Sequence, residues 1–385
     1  MAQLNQHNPI DEVLELLTTH GTDGLAEALR ILLNAAMLIE RQHFLNLDPY
    51  ERSIDRKDYA NGFKPKRLRT RLGELDLRVP QVRSSGFYPS SLERGTRSER
   101  ALKLSLAEMY VQGVSTRKVA AITEQLCGFE VTSSQVSRAT AELDEHFKQW
   151  RERPLGQMCY LQLDARYEKV REGGIVVDEA VLTAIGIDQQ GRRHLIGVSI
   201  SRSEAEVHWR EFLLSLSERG LCGLELITSD DHAGLQAARK AVFPSVRWQR
   251  CQFHLQENAS QYVTKIEKRK EVAADIRAIF NAPSREEAER LLKVAVKKYE
   301  QRAPRLSEWM EKNLEEGLTV FSFPREQQRR LRTTNLSERV NREIKRRTRV
   351  VGVFPNGASL ERLATAVLME IDEDWQSGPR YLSMD

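Results

Sequence analysis

The sequence predicts a multi-domain α/β protein: a basic, mainly helical N-terminal region, then a mixed sheet whose chain is interrupted by a long helical stretch. Three observations predict it. The 385 residues suit two or three domains. From Cys159 the apolar pattern changes from helical spacing to strict alternation, first in CYLQLDARYEKV. Between Leu255 and Leu331 helical spacing returns, and two more helices follow.

Composition narrows the function classes. Hydrophobic residues are 40% of the chain, enough for a real core, and charged residues are 30%, yet the net charge is only +4. The distribution of charge is therefore more informative than its mean. Seven Lys or Arg stand against two acids from Phe63 to Arg83, and ten against three from Arg325 to Arg349. Such clusters are either solvated faces or nucleic-acid footprints. No run of about 18 apolar residues exists, so no membrane-spanning helix is expected. The stretch MAQLNQHNPIDEVLELL lacks the basic start and apolar core of a signal peptide. Cys127, Cys159, Cys222 and Cys251 show no framework spacing, which fits a reducing cytosol.

Residues 1–47 read as a helical segment. Leu14, Leu17, Leu25, Leu29, Leu32, Leu33, Met37 and Leu38 recur at helical spacing in two stretches split by HGTDG. They serve either a small helical core or an association module. Residues 48–96 form a basic hairpin-like segment. KPKRLRTRLGELDLRVPQVR alternates as a hairpin turning near Gly73–Glu74, with Lys64, Lys66, Arg67, Arg69 and Arg71 as a positive ribbon for phosphate. Residues 97–153 read as a helix-turn-helix-like DNA-binding domain. One helix is capped by Ser115 or Thr116, the turn is CGFEV, and a second helix is capped near Thr132–Ser134. Val119, Ile122 and Leu126 line one apolar face, and Val136 and Leu143 belong to the next. The second helix would offer Ser133, Ser134, Gln135 and Arg138 to a major groove.

Residues 154–255 then give strands Cys159–Val170, Ala180–Asp188 and Arg193–Ser201, a meander with Gly-marked turns. A helix at Ser203–Arg219, a strand at Leu224–Ser229, a helix at Ala233–Phe243 and a strand at Val246–Phe253 follow. That order is the one expected of a ribonuclease-H-like mixed sheet. Residues 256–331 are an all-helical insertion, in which Asn281–Ser284 ends one helix and caps the next. Residues 332–385 return to the sheet domain with a basic helix, Thr333–Arg349, and an amphipathic one, Ala358–Asp374.

Three acids stand out. In the first strand Tyr160, Gln162 and Asp164 alternate with Leu161, Leu163 and Ala165, giving one apolar face. Asp is depleted inside strands, so Asp164 is either an outward residue paired with Arg or Lys or a functional carboxylate. Asp230, followed by Asp231 and His232, ends the fourth strand, where such sheets place ligands. Glu338 lies in the late basic helix, sharing a face with Asn341, Arg342 and Lys345. Crowded carboxylates repel unless a cation neutralises them. Hard divalent ions favour carboxylate oxygens, and a pair of them supports phosphodiester hydrolysis and strand transfer. By position alone Asp231 rivals Asp230 and Glu343 rivals Glu338. Cys251 and His254 form C-x-x-H, half of a zinc site without a second pair, so a structural or substrate-orienting role is expected. His232 contacts substrate, caps a helix or packs. Trp309 either packs in the helical insertion or stacks on an unpaired base.

YLQLDARYEKVREGG, TSDDHAGL, WQRCQFHLQENA and LRTTNLSERVNREIKRRTR closely resemble Mutator-type DDE transposases of bacterial insertion sequences. The resemblance spans most of the chain. It implies Asp164, Asp230 and Glu338 as catalytic metal ligands, because the pattern S-D-x-H-x-G-L selects Asp230 and T-T-N-x-x-E-x-x-N-R selects Glu338. It implies two Mg²⁺ ions, or Mn²⁺ in their place. It also implies double-stranded DNA partners, namely terminal inverted repeats and target DNA, contacted in part by Arg339, Asn341, Arg342 and Lys345. A homodimer or higher oligomer on DNA is expected, in a bacterial cytoplasm and at the nucleoid when bound, with no membrane. Two rival readings are a catalytically inactive helix-turn-helix regulator and a ribonuclease-H-like nuclease without strand transfer.

Overall fold

The computed structural model describes residues 8–46, 57–84, 86–112, 114, 116–141, 143–263 and 266–384. Ser115 lies outside the described residues, as does 48–56 of the basic segment. The chain divides into two compact units, Met1–Leu143 and Asp144–Asp385.

The first unit contains α1 (Pro9–His20), α2 (Leu25–Leu45), β1 (Ala60–Thr70), β2 (Gly73–Val82), α3 (Arg100–Val111), α4 (Thr116–Cys127) and α5 (Ser133–Ala141). The two strands are antiparallel, and Thr70 pairs with Gly73, so the turn is Arg71–Leu72, two residues before its expected place. Leu75, Leu77 and Val79 of β2 pack with Met37 of α2 and with Leu92. A second core joins Leu102, Leu106, Val119, Val131, Val136 and Ala139 of the three-helix segment. Leu126 does not belong to it. It is 74% exposed, and Thr123 takes the buried place one turn earlier, bonding Val119 O with its hydroxyl at 2.7 Å. The helix turns its stripe toward Val119 and Thr123, which leaves Leu126 outside.

The second unit begins with α6 (Asp144–Glu152), β3 (Met158–Glu172), β4 (Ile175–Asp188), β5 (Arg193–Ser201), α7 (Glu206–Glu218), β6 (Leu226–Ser229), α8 (Ala233–Val242) and β7 (Arg247–Arg250). It continues with α9 (Gln252–Gln261), α10 (Ile266–Phe280), α11 (Arg285–Glu300), α12 (Pro304–Asn313), α13 (Arg325–Leu331), α14 (Asn335–Val351) and α15 (Gly357–Ser377). The N-terminal helix α6 belongs here, because Arg362 of α15 bonds Asp144 through both guanidinium nitrogens and Arg151 bonds Thr365. The expected boundary at 153 thus moves to Leu143.

The sheet order is β5-β4-β3-β6-β7. β3, β4 and β5 are antiparallel neighbours, whereas β6 runs parallel to β3 and β7 parallel to β6. The last strand is shorter than expected; Gln252 and Phe253 already belong to α9. Both faces of the sheet are covered. Leu161 and Leu163 pack on one side with Trp209, Phe212, Leu213 and Leu216 of α7 and Leu235 of α8. Tyr160 and Val170 pack on the other with Leu336, Val340 and Ile344 of α14 and with α15. The expectation of a single apolar face on β3 therefore fails: its polar row is buried too. Helices α9 to α12 build their own core from Leu255 to Leu318. Ser284 caps α11 by accepting from Glu287 N at 3.3 Å. After α15 the chain returns to the sheet, where Tyr381 N and Leu382 N both donate to Gly191 O, at 2.8 and 3.0 Å. Gly191 sits at φ +74°, and a Cβ there would lie 2.0 Å from Leu382 O, so the tail closes over a turn that only glycine fits.

Candidate active site

The polar row of β3 meets α13 and α14 residue by residue. Tyr160 Oη donates to Gln327 Oε1 at 2.7 Å, and Gln162 Nε2 donates to Thr333 O at 3.2 Å. Asn341 Nδ2 donates to Asp164 Oδ2 at 2.9 Å, Arg166 donates to Asn341 O at 2.6 Å, and Thr348 donates to Glu168 at 2.9 Å. Alternation along the strand (162, 164, 166, 168) thus matches successive turns of the basic helix. Asp164 is not an outward residue paired with Arg or Lys; its partner is an amide.

Asp164 and Asp230 occupy matching register positions. Gln162 pairs with Thr228 across the parallel β3–β6 ladder, and each aspartate lies two residues further along. Asp231 turns elsewhere: its carboxylate meets Arg250 Nη1 at 3.0 Å. Glu343 also turns away and bonds Arg346 at 2.9 Å. Glu338 stands on α14 between Thr334 and Asn341, at i+4 and i−3, on the side where Asn341 meets β3 and Thr334 meets Cys251. Its Oε1 is buried with no hydrogen-bond donor, as are Asn341 Oδ1 and Gln162 Oε1. Three acceptors lacking donors around two aspartates suit a bound cation. Among the described residues, however, no group of three or more His, Cys, Asp or Glu side chains already stands as a ligand cluster.

Cys251 and His254 border the same place. Cys251 follows β7, donates its N–H to Ser229 O at 2.9 Å, and accepts at Sγ from Thr334 Oγ1 at 3.3 Å. His254 Nδ1 lies 3.8 Å from Asp230 Oδ1. The hydrogen bond with Cys251, helped by the charges of Cys251, Asp230 and Asp164, pushes His254 up to about 9 despite burial. Burial alone would raise the Cys251 thiol, but His254 and Thr334 outweigh it and hold the thiol low. Burial pushes Asp164 up to about 7; the Ala165 N–H and His254 oppose the rise, and Asp230 and Glu204 add to it. The His254 and Cys251 shifts both favour a charged His254 beside the two aspartates.

Glu204 is a residue that sequence reasoning missed. It precedes α7, takes part in the electrostatics of both aspartates, and has its own carboxyl raised by burial, with His232 opposing and Asp230 adding. His232 Nδ1 lies 3.9 Å from its Oε2. His232 occupies the N-cap position of α8 but makes no side-chain cap bond, so capping is not its role. Gly234 permits the arrangement, since a Cβ there would lie 2.2 Å from Glu204 O. No spacing in the sequence announces Glu204; only the sheet order brings it near.

The remaining candidates lie in several places. Arg342 and Lys345 are exposed on α14, whereas Arg339 lines a groove with Glu343, Arg347 and Glu370 against α15. Trp309 packs beside Tyr262, with ring centroids 5.7 Å apart, inside the insertion. In the first unit Arg67 pairs with Glu74 and Asp76, Arg69 with Glu74 and Arg71 with Glu99. Lys64 and Lys66 oppose Val79 and Leu77, on the other face from Arg67 and Arg69. Period-two geometry thus splits the expected single ribbon across two faces. Ser133, Ser134 and Arg138 are exposed on α5. Gln135 is committed to the helix start: its Oε1 accepts from Thr132 N at 2.8 Å, and Thr132 Oγ1 accepts from Gln135 N at 3.3 Å, a reciprocal capping box.

These features define a mixed α/β protein with a carboxylate-centred site beneath a basic helix. The chain belongs to the Mutator family of transposases, whose model matches residues 2–378. It is 57% identical, over the whole of both chains, to the transposase for insertion sequence element IS406 of Burkholderia multivorans. It is 44% identical to the transposase for ISRM5 of Rhizobium meliloti, covering 94% of this chain and 91% of that one. It is 37% identical over both full lengths to the transposase for IS256 in transposon Tn4001 of Staphylococcus aureus. DNA is the partner that this membership implies. No described helix is long and apolar enough to cross a membrane.

Proposed function

We propose that the protein binds the terminal inverted repeats of an insertion sequence, cuts DNA there and joins the freed ends to target DNA. Asp164, Asp230 and Glu338 are the carboxylates that would hold Mg²⁺ or Mn²⁺. The carrying observation is the matched register of Asp164 and Asp230 on adjacent parallel strands, beneath a helix that brings Asn341 onto Asp164 and Glu338 one turn away. The strand order, an antiparallel meander whose first strand is central and is followed on its other side by two parallel strands, supports a ribonuclease-H-like reading.

The donor set suits a hard divalent cation, because the unpartnered acceptors Glu338 Oε1, Asn341 Oδ1 and Gln162 Oε1 are all oxygens. When bound, a pair of such ions activates a water or 3′-hydroxyl and stabilises the leaving oxygen. The protein's own groups do the rest. Asp164, raised to about 7 by burial, would give its proton to solvent before serving as a ligand. Asn341 fixes the orientation of Asp164, and the His254 cation steadies Asp230. Arg342 and Lys345, exposed on the helix that carries Glu338, meet phosphates flanking the cut. Bringing two element ends together calls for at least two copies of the chain on DNA.

The test is Mg²⁺-dependent nicking and joining of DNA carrying the element's ends. Asp164→Ala, Asp230→Ala and Glu338→Gln are each expected to abolish both steps while DNA binding survives, and Asp231→Ala to retain most activity. Full activity in any of the first three would remove that residue from the site. Binding without cutting by the wild type would favour a regulator, and cutting without joining would favour a nuclease.

A further inference from the structure

The first unit holds a cleft of about 860 Å³ between the β-hairpin and the segment that follows it. That segment leaves β2, loops out, and returns along the free edge of β1, where Arg69 N donates to Arg97 O at 3.0 Å and Glu99 N donates to Arg69 O at 2.7 Å. Six cations line the cleft, which wraps the edge of β1: Lys64 and Lys66 from one face of the strand, Arg67 and Arg69 from the other, and Arg94 and Arg97 from the returning segment. One carboxylate, Glu74, lines it with them, and it is shared by Arg67 and Arg69. Among the described residues no carboxylate pairs with Lys64, Arg94 or Arg97. Arg94 instead stacks over the Tyr88 ring at 5.3 Å, and Lys66 donates to the Tyr88 hydroxyl at 2.8 Å, so the cationic wall is held in place.

The cleft does not end at the hairpin. A second hollow of about 350 Å³ shares Arg69, Gly95 to Ser98 and Gln135 with it, and continues to Arg138 on α5. One cation-lined channel thus runs from Lys64 to the exposed face of the second helix of the helix-turn-helix pair. Apolar side chains floor it in part, Val79 and Phe87 in the first hollow and Leu102, Leu106, Phe129 and Val131 in the second, and a small anion would neutralise only part of the cationic row. A polyanion with evenly repeated charges matches it throughout.

We infer that this channel holds the sugar–phosphate backbone of one DNA strand next to the groove that α5 enters, so that the hairpin segment and α5 grip adjoining stretches of one duplex. Lys64, Arg94 and Arg97 carry affinity, and Arg138 carries sequence preference. The inference rests on the DNA-binding reading above.

The experiment uses the full chain, a labelled duplex from the end of the element that encodes it, and an unrelated duplex of equal length. Anisotropy titrations over a salt series are run for the wild type, a Lys64→Ala/Arg94→Ala/Arg97→Ala triple variant and Arg138→Ala, with hydroxyl-radical footprints on both strands. The triple variant is expected to weaken binding to both duplexes alike, to lower the slope of log K against log salt by about 2–3, and to lose strand protection beside the α5 footprint. Arg138→Ala is expected to narrow the preference between duplexes. An unchanged slope and footprint in a folded triple variant, with Arg138→Ala still impaired, would overturn the channel and leave the DNA reading standing. Equal, salt-insensitive binding by every form would overturn both. Circular dichroism confirms folding of each variant, and Lys64→Arg/Arg94→Lys/Arg97→Lys, which keeps the charge, is expected to retain the wild-type slope.

Discussion

Asp164 holds its proton to about 7 because burial outweighs the Ala165 N–H and the His254 charge, whereas in an unfolded chain the group ionises near 3.8. Between those values the folded state binds the extra proton, so this residue's contribution makes stability fall as pH rises and levels off above about 7. Asp164→Asn removes that component. In metal-free buffer at about pH 8 the variant is expected to melt above the wild type, with roughly 2–4 °C gained for each kcal/mol relieved. Added Mg²⁺ is expected to raise the wild-type melting temperature and to leave the variant's nearly still. Identical pH profiles in calorimetry would place the titration elsewhere. At this scale the sequence showed a good deal. An aspartate inside an alternating strand is costly enough to stand out, and Asp230 marks itself at a strand end. The amide of Asn341, the carboxylate of Glu204 and the diversion of Asp231 to Arg250 were not legible, because each depends on chain segments meeting across the sheet.

Helix α5 begins at a capping box that joins Thr132 and Gln135. Thr132→Ala is expected to cost about 1 kcal/mol, read by urea denaturation of the folded chain. Nearby, Leu126→Gln is expected to change stability by less than about 0.5 kcal/mol because the side chain is exposed, whereas Val119→Ala, fully buried, is expected to cost about 2. A large loss from Leu126→Gln would mean that another surface covers it. Helix and strand types were legible through periodicity, and Ser284 and Thr132 announced their caps. Element ends were less so. Arg71–Leu72 carries no turn signature of its own, and Gly73, at φ +133°, closes the turn as the partner of Thr70 rather than sitting at its centre. The buried polar row of β3 misled in the same way, since alternation suggests a wet face until a second helix layer is known to lie over it.

The large apolar clusters each stay inside one unit: three lie within Asp144–Asp385, and the others within Met1–Leu143. A fragment spanning 144–385 is therefore expected to fold alone with a cooperative melt, and to keep metal-dependent stabilisation while losing preference for the element's ends. Non-cooperative melting of that fragment would show that the first unit is needed to complete its core. This division was legible as a change from basic helices to strands, though α6 crosses the expected line because only Arg362 and Thr365, more than two hundred residues later, reveal where it packs.

The tail that closes over Gly191 has a further consequence, one of timing. The sheet strands and both aspartates are made before their second covering layer, which includes α14, α15 and Leu382 and comes last. A nascent chain thus carries Asp164 and Asp230 without that covering layer until α14 is made.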